Sequence, residues 1–366
     1  CIRDRLGFIL TTKLVRKEKM KTTIVLILLA ADLFFANSWL FSSASSYHWD
    51  AISPIEQQLK DSTKQIPTRI YRTRLSRWNP PSFAKQSSTE RQRDAIIWDR
   101  QSLRPRMHLL SHIQLLDANA SISDAHYDSM LRVLRRHGTT REDHVTEPDA
   151  DGLALLGASH IIGPENFYPR QDEMLTSPTK IEDVAITTIA NPAPFFWTVP
   201  NWKVRPLFNG GTPAQLDQFT KDVFYPDGLI ADLQNLSTLE SNSIKSSGSP
   251  ISVKQDVIRL ESFEPGFVRL RVFKEEDGPL IINQGFDTGW HARIWNLENT
   301  LPQPTPLIRA NRVMQAVVLK KGEQTVDLVY RPTSFLFGLT ISGICWLMLC
   351  GSLGIAAIRS RRALTH

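Results

Sequence analysis

Cysteine is almost absent from the part of this chain that resembles a soluble protein in composition. Only Cys1, Cys345 and Cys350 occur in 366 residues, and the last two lie inside an apolar run. No cysteine falls between residues 42 and 334. Disulfide bonds, a thiolate zinc site and a cysteine nucleophile are therefore not expected there. The folding of this stretch does not depend on disulfides.

Several catalytic and binding motifs are also missing. The sequence has no glycine-rich loop with P-loop or Rossmann spacing and no Gly-x-Ser-x-Gly motif. His108 and His112 have the spacing of zinc ligands on a helix, but HLLSH lacks the catalytic glutamate. The run from Asp149 to Gly152 is similar to the start of a calcium loop without the remaining ligands. We predict no catalytic residue, no metal site and no cofactor in this chain.

Two apolar segments of membrane-spanning length are the strongest positive feature. They are Thr22–Phe41 and Phe335–Ile358. As helices they would reach about 30 Å and about 36 Å, enough to cross the hydrocarbon core of a bilayer. The intervening chain is polar, and the mean hydropathy of the whole sequence is −0.21. The pattern predicts an α+β membrane protein in which two transmembrane helices flank one large water-exposed domain.

Basic residues flank both apolar segments on the sides that face the termini. Segment 1–21 contributes Lys13, Arg16, Lys17, Lys19 and Lys21, and segment 359–366 contributes Arg359, Arg361 and Arg362. Cytoplasmic flanks are enriched in lysine and arginine, so both termini are expected inside and residues 42–334 outside. An alternative starts translation at Met20, which would make the first apolar run a cleaved signal peptide.

The sequence pattern of the predicted exterior region changes at about residue 191. Residues 42–190 predict mixed α/β structure, with a strand at Pro67–Arg72 and a helix at Ser123–His137 capped by Ser123. Residues 191–334 predict a β-sandwich-like part because short alternating strands recur there between turns. The predicted strands are Val253–Leu260, Phe267–Phe273, Leu280–Gln284, His291–Trp295, Met314–Leu319 and Thr325–Tyr330.

The net charge of +6 raises the question of a nucleic-acid partner. Part of the excess lies in the membrane flanks, and another part lies in an arginine-rich stretch between Arg69 and Arg106. An exterior location excludes nucleic acid as the expected partner, whereas anionic headgroups or a phosphate-bearing substrate at the surface remain open. The lipid bilayer is the first partner that the sequence predicts.

The last hundred residues closely resemble the C-terminus of the YfhO-type bacterial membrane protein family. The resemblance lies in LIINQGFDTGWHARIWN, with Gly289-Trp290 at a turn, and in LIRANRVMQAVVLKKGEQTVDLVYRPTSFLFGLTIS, which ends a strand in Tyr330-Arg331-Pro332. Upstream, PTRIYR, LLGASHIIG and AADLFFAN resemble earlier segments of that family. The likeness covers about half of the chain, and it is a pattern rather than a catalytic motif.

The resemblance implies a multi-pass protein of the bacterial inner membrane, related to glycosyltransferases that use polyprenyl-phosphate sugars. In such enzymes the catalytic acid lies in an early exterior loop, which is absent here. The chain would then supply the exterior domain, with a missing N-terminal transmembrane bundle or a split partner chain, and a lipid-linked sugar as ligand. Alternatives are a non-catalytic, membrane-tethered glycan-binding or assembly module, and a secreted domain.

Two residues are candidate sites. Asp32 lies within the first apolar segment, where an ionisable side chain costs about 2.5–3.5 kcal/mol and normally meets a polar neighbour. It is a candidate intramembrane polar contact, either with a neighbouring helix or in a carrier-lipid cavity. Trp290 is a candidate either for stacking on a sugar ring or for packing in the sandwich core.

Overall fold

The computed structural model describes residues 28–29, 31–32, 52–59, 66–73, 87, 90–104, 111, 113–117, 124–137, 139–140, 146–164, 174–181, 183–208, 211–226, 231–234, 236–241, 256–296 and 301–362. The chain divides into two compact units, residues 1–51 with 81–100 and residues 52–80 with 101–366. Most of the predicted span Thr22–Phe41 lies outside the described residues. Of that span, residues 28–29 and 31–32 are described, and they are helical.

Helices and strands are interspersed up to residue 224, and the described elements from Leu236 to Tyr330 are all strands. The helices are α1 (Pro54–Leu59), α2 (Arg91–Gln101), α3 (Ala125–His137), α4 (Ala150–Leu155), α5 (Pro213–Phe224) and α6 (Thr333–Arg362). The strands up to residue 240 are β1 (Arg69–Arg72), β2 (Gln114–Leu115), β3 (Thr139–Thr140), β4 (Thr146–Glu147), β5 (His160–Pro164), β6 (Thr179–Ile181), β7 (Val184–Thr188), β8 (Phe196–Thr198), β9 (Asn201–Arg205) and β10 (Leu236–Glu240). The later strands are β11 (Val257–Glu264), β12 (Phe267–Lys274), β13 (Gly278–Ile282), β14 (Trp290–Asn296), β15 (Gln303–Thr305), β16 (Ile308–Ala310), β17 (Met314–Leu319) and β18 (Gly322–Tyr330).

Helix α3 is the most amphipathic of the predicted soluble helices, and its predicted position is confirmed with a corrected start. The side chain of Asp124 accepts hydrogen bonds from the backbone N–H of His126 (2.7 Å) and Tyr127 (3.2 Å). The N-cap is therefore Asp124, whereas the sequence analysis assigned Ser123, which lies outside the described residues. Both residue types cap helices well, so the sequence alone could not separate two adjacent candidates.

The first sheet is mixed and has the strand order β2-β1-β5-β7-β6. Strand β1 pairs in parallel with β2 and β5, and β7 pairs antiparallel with β5 and β6. The predicted strand at Pro67–Arg72 is confirmed as β1. Its inner residues Ile70 and Tyr71 are almost fully buried, which fits the expectation that strands with parallel neighbours are covered on both faces.

Two further sheets, built from strands that follow residue 191, share an apolar core between them. One has five antiparallel strands in the order β11-β12-β18-β14-β15, and the other has six strands in the order β8-β13-β17-β16-β10-β9. The second sheet is not wholly antiparallel, because β9 and β10 run parallel. The core between the sheets is Phe195, Phe196, Val268, Leu270, Val272, Leu280, Ile282, Ala292, Val317, Leu319, Val326 and Leu328.

The other face of the six-stranded sheet contributes to a second core. Ile281 and Ala310 from that sheet are packed together with Leu134 of α3, Phe224 of α5 and Ile161 of the first sheet. Residues from both sides of position 191 thus share one apolar core. The expected division into regions 42–190 and 191–334 stays a prediction.

Helix α6 follows the sandwich and differs from every other described helix in composition. Residues Thr333–Ile355 have a mean hydropathy of 1.8, and none of the most apolar window is buried. Among the described residues this is the one helix that is long and apolar enough to cross a membrane. Helix α6 includes the whole predicted span Phe335–Ile358, and its membrane location stays a prediction.

Candidate functional site

The sandwich is joined to α6 by a short and well-bonded connection. Strand β18 ends at Tyr330, and α6 begins at Thr333. The Tyr330 N–H donates to the carbonyl oxygen of Gly266 (2.8 Å), and the Arg331 N–H donates to that of Gly289 (2.7 Å). Tyr330 Oη also donates to Asp287 Oδ2 (3.2 Å). The start of the apolar helix is therefore fixed to one end of the sandwich without a flexible linker.

Gly289 makes this connection possible because other atoms approach its Cα closely. A Cβ at this position would lie 2.7 Å from Tyr330 Cε2 and 3.2 Å from Pro332 Cα. We expect Gly289→Ala to lower the free energy of unfolding by about 1–3 kcal/mol, the usual cost of overpacking. The matched control is Gly285→Ala, since no atom lies within 4 Å of a Cβ there. Denaturant unfolding of both variants tests this, and equal losses would contradict it.

Trp290, the aromatic candidate from the sequence, lies at the inner edge of the sandwich. Its side chain is half-buried and packs against the sandwich core. Its ring centroid is 5.2 Å from that of Tyr330. The structure thus places Trp290 in a packed aromatic pair at the junction, and a role in sugar stacking stays a prediction.

The five-stranded sheet of the sandwich, β11-β12-β18-β14-β15, turns one face to solvent. Side chains alternate between the faces of a strand, so Ala292 and Ile294 point inward while Arg293 and Trp295 point outward. We call the outward set the outer face. It includes Arg259, Glu261, Glu264, Phe267, Arg269, Arg271, His291, Arg293, Trp295, Glu323, Thr325 and Asp327. The face begins beside the junction, since His291 pairs with Val329 on the adjacent strand.

The centre of the outer face is an ion pair between two aromatic rings. Arg269 Nε and Nη2 donate to the two carboxylate oxygens of Asp327, at 2.7 and 2.8 Å. The guanidinium lies 5.5 Å from the ring centroid of Phe267 and 5.1 Å from that of Trp295. The hydrogen bonds to Asp327 raise the pKa of Arg269 above its ordinary value. A fixed donor–acceptor fork therefore lies beside two partly accessible apolar rings.

Charges on the outer face balance. It carries four arginines and four carboxylates, namely Arg259, Arg269, Arg271, Arg293, Glu261, Glu264, Glu323 and Asp327. Glu261 and Glu323 lie 2.8 and 3.8 Å from Arg271. A face without net charge does not attract polyanions over a distance. Its recognition must come from ring contacts and directed hydrogen bonds.

The remaining candidates from the sequence lie elsewhere. Asp32 belongs to the first unit, where it is helical with an exposed side chain. His108 and His112 lie outside the described residues. Asp149 is the N-cap of α4, accepting from Gly152 N–H (3.0 Å) and from Tyr225 Oη (2.9 Å). Its similarity to a calcium loop is thus explained by helix capping, and no cluster of metal-ligating side chains occurs among the residues described.

A buried charge cluster that the sequence analysis missed lies at the ends of β10 and β16. It consists of Glu240, Arg309, Arg312 and His126. Arg312 Nη1 donates to Glu240 Oε1 at 2.6 Å, and Arg309 Nη1 lies 3.8 Å from Glu240 Oε2. The side chains of Glu240 and Arg312 have no exposed surface. Strand pairing brings Glu240 opposite Arg309, a contact that no local sequence pattern indicates.

The histidine of this cluster is uncharged at neutral pH. Burial, together with the charges of Arg309 and Arg312, lowers the pKa of His126 to about 4 against the opposing effect of Asp124. Histidine in the unfolded chain titrates near pH 6.5. Between these values the unfolded state binds more protons, so stability must fall as the pH decreases through that window.

We therefore expect the midpoint of thermal unfolding to drop between pH 6.5 and pH 4 by more in the wild type than in His126→Gln. The comparison with the variant is needed because burial raises the pKa of Glu240, which favours the folded state towards lower pH. The carboxyl groups of Asp217, Asp256 and Asp277 have lowered pKa values. Their protonation therefore lowers the stability only below about pH 4, outside the window of His126. Parallel pH profiles for the two proteins would contradict the assignment to His126.

Comparison with known proteins gives no relative. No family profile, curated protein or solved structure matches this chain. Function must therefore be argued from the geometry of the chain itself.

Proposed function

We propose that this chain is a membrane-anchored exterior domain that binds saccharides and serves in the assembly of cell-envelope glycans without catalysing a reaction itself. The observation that carries the proposal is the outer face, where Arg269 and Asp327 form a fixed pair between the rings of Phe267 and Trp295. The face lies beside the start of α6. It would hold a glycan next to the bilayer.

The chemistry of the outer face suits a sugar. A pyranose ring has an apolar C–H face that packs on an aromatic ring and hydroxyl groups that need both donors and acceptors. Trp295 supplies the ring, Arg269 and Arg293 supply donors, and Asp327 supplies acceptors. The balance of charge favours a neutral polyhydroxyl ligand over nucleic acid, which requires excess positive charge.

The apolar helix α6 would anchor the domain in the membrane. Helix α6 exposes twelve large apolar side chains over Thr333–Ile355 and has no charged residue there. In water such a surface would associate or aggregate. Lipid is the solvent that such a helix fits. Because Arg331 and Tyr330 are hydrogen-bonded to the sandwich, the domain would be held directly at the membrane surface rather than on a tether.

A second candidate function is the tail of a larger YfhO-type membrane protein, related to glycosyltransferases that use lipid-linked sugars. The specific observation in its favour is Asp32, an exposed carboxylate within an apolar segment. An ionisable residue within a membrane span is rare and normally marks a helix–helix contact or a functional site, as expected for one span of a larger membrane protein. In this version the outer face positions the glycan for chemistry that residues outside this chain perform.

Glycan binding by the full chain tests the proposal. The chain, held in nanodiscs, is applied to an array of bacterial envelope glycans, and affinity for bound glycans is measured by titration calorimetry. We expect Trp295→Ala to weaken binding by about tenfold or more, the effect of losing a central aromatic contact. Trp346→Ala, an exposed tryptophan of α6, should bind as the wild type does. The absence of any bound glycan, or unchanged binding by Trp295→Ala, would contradict the proposal.

A further inference from the structure

The buried charge cluster holds more hydrogen-bond donors than acceptors. A neutral imidazole carries a proton on one nitrogen and accepts on the other only. Yet Arg309 Nη1 lies 2.7 Å from Nε2 of His126, and Arg312 Nη2 lies 2.9 Å from Nδ1 of the same ring. A guanidinium nitrogen of this kind is always a donor. One of the two contacts therefore sets a donor against a donor.

Other donors of the cluster also lack acceptors. Among the described residues, the Nε atoms of Arg309 and Arg312 are buried and have no hydrogen-bond partner. Oε2 of Glu240 is a buried acceptor that also has no hydrogen-bond partner, and it lies 3.8 Å from Arg309 Nη1. The side chain of Arg312 has no exposed surface, and the residue Arg309 is 9% exposed. Buried donors in native proteins are almost always satisfied by protein, water or ligand. Two arginine forks with unfilled donor positions are the arrangement that an oxyanion fills.

Backbone strain at the same place is an independent observation. Asn311 and Arg312 have φ angles of 45° and 70° in the tight turn between β16 and β17. Positive φ angles are uncommon for residues other than glycine, whereas here one of them belongs to a fully buried arginine. The turn is held because Asn311 Oδ1 accepts from Thr238 N–H (2.8 Å) and Asn311 Nδ2 donates to Ser237 Oγ (3.1 Å). Strain of this kind is concentrated at functional sites.

We propose that the buried charge cluster is a binding site for a phosphate-type oxyanion, with Arg309 as the residue that turns to receive it. Arg312 is fixed by Glu240 at 2.6 Å and by the ring of Phe219, whose centroid is 4.7 Å away. Arg309 is held more weakly, since Glu240 Oε2 is 3.8 Å away. When Arg309 turns its fork to an oxyanion, His126 keeps one acceptor contact, with Arg312, and the donor conflict disappears.

The surroundings fit the entry of such an anion from the side of His126 and Arg309. Both residues keep 9% of their surface exposed, whereas Arg312 keeps none. The charged groups that face the cluster are Glu240 and Asp124. Asp124 caps α3, so its charge is shared with backbone N–H groups. Asp124 therefore competes only weakly with a ligand for the guanidinium of Arg309.

The position of the cluster suggests two sources of phosphate. The ring of Phe286 lies 4.8 Å from the Arg309 guanidinium. The next residue, Asp287, accepts from Gly289 N–H (2.6 Å) and from Tyr330 Oη (3.2 Å) at the junction with α6. The cluster is thus one loop away from the start of the apolar helix. Either the phosphate of a lipid headgroup or a free phosphate ion would reach it.

Thermal unfolding of the full chain in a phosphate-free polyoxyethylene detergent tests this site independently of saccharide binding. The two probes are inorganic phosphate, titrated against chloride at constant ionic strength, and phosphatidylglycerol added to the micelles. Ligand that binds the folded state raises its unfolding midpoint, and we expect a saturable rise of about 2–4 °C. A response to inorganic phosphate identifies a free phosphate site, and a response to phosphatidylglycerol alone identifies a lipid phosphate.

Arg309→Gln should abolish the rise and Arg309→Lys should reduce it. Arg91→Gln, which changes an exposed arginine of the first unit, should leave it intact. No rise in the wild type with either probe, or an equal rise in Arg309→Gln, would overturn the proposal. Should Arg309→Gln fail to fold, ¹⁵N resonances of the His126 ring in the wild type decide, because bound phosphate must shift them. Unchanged resonances at saturating probe would likewise overturn it.

Discussion

Replacement of Glu240 by alanine is expected to lower the free energy of unfolding by about 3–5 kcal/mol, the usual cost of breaking a buried ion pair. Arg312 would then be left without a carboxylate in a site where its side chain has no exposed surface. Arg309 would lose its ion-pair partner at the same time. Denaturant unfolding in detergent, followed by tryptophan fluorescence, measures the loss.

The matched control is Asp277→Ala, which also removes a carboxylate from an ion pair. Asp277 lies 2.8 Å from Lys320, but their side chains are 53% and 80% exposed. Exposed pairs contribute about 0–1 kcal/mol, so this variant should be nearly as stable as the wild type. If Glu240→Ala cost no more than Asp277→Ala, the cluster would not be a desolvated unit, and its proposed role as an anion site would lose its basis.

Two arginines placed in the middle of α6 are expected to prevent its insertion. Ile344 and Leu347 are both exposed in the structure and lie near the centre of Thr333–Ile355. Each arginine at a helix centre costs about 2.5–3.5 kcal/mol on insertion scales. In Ile344→Arg with Leu347→Arg, the tail after the helix should therefore stay outside the cell. An antibody against a C-terminal epitope tag should then reach intact cells.

The control for this experiment exchanges the same two residues conservatively, as Ile344→Leu with Leu347→Ile. Its tag should be reached by antibody only after lysis, as in the wild type. A tag that stays protected in the double-arginine variant would show that α6 does not depend on lipid. A tag exposed in the wild type would reverse the predicted orientation.

The sequence predicted the sandwich strands well because strand alternation is a local property. Met314–Leu319 was predicted with the bounds that the structure shows, and the other predicted strands differ by a few residues at their ends. The alternation of inward and outward side chains along β14 also locates the outer face. Trp290, Ala292 and Ile294 form an apolar set that faces the core, which leaves Trp295 on the other side. The turn at Gly289-Trp290 points to Trp290, whereas the alternation along β14 points to Trp295 as the outward-facing ring.

The buried charge cluster could not be predicted in the same way. His126 lies 186 positions from Arg312, and they meet because α3 packs on the sheet that holds β16 and β10. Glu240 and Arg309 are cross-strand partners between strands that are far apart in sequence. Such contacts depend on strand order.

The most direct test of the account is whether the outer face is exposed outside the cell. Arg259→Cys places a single thiol on an exposed position of that face, after Cys1, Cys345 and Cys350 are replaced by serine. The account predicts that a membrane-impermeant maleimide labels this thiol in intact cells as fully as after lysis. Labelling that appears only after lysis would place the face in the cytoplasm and contradict the account.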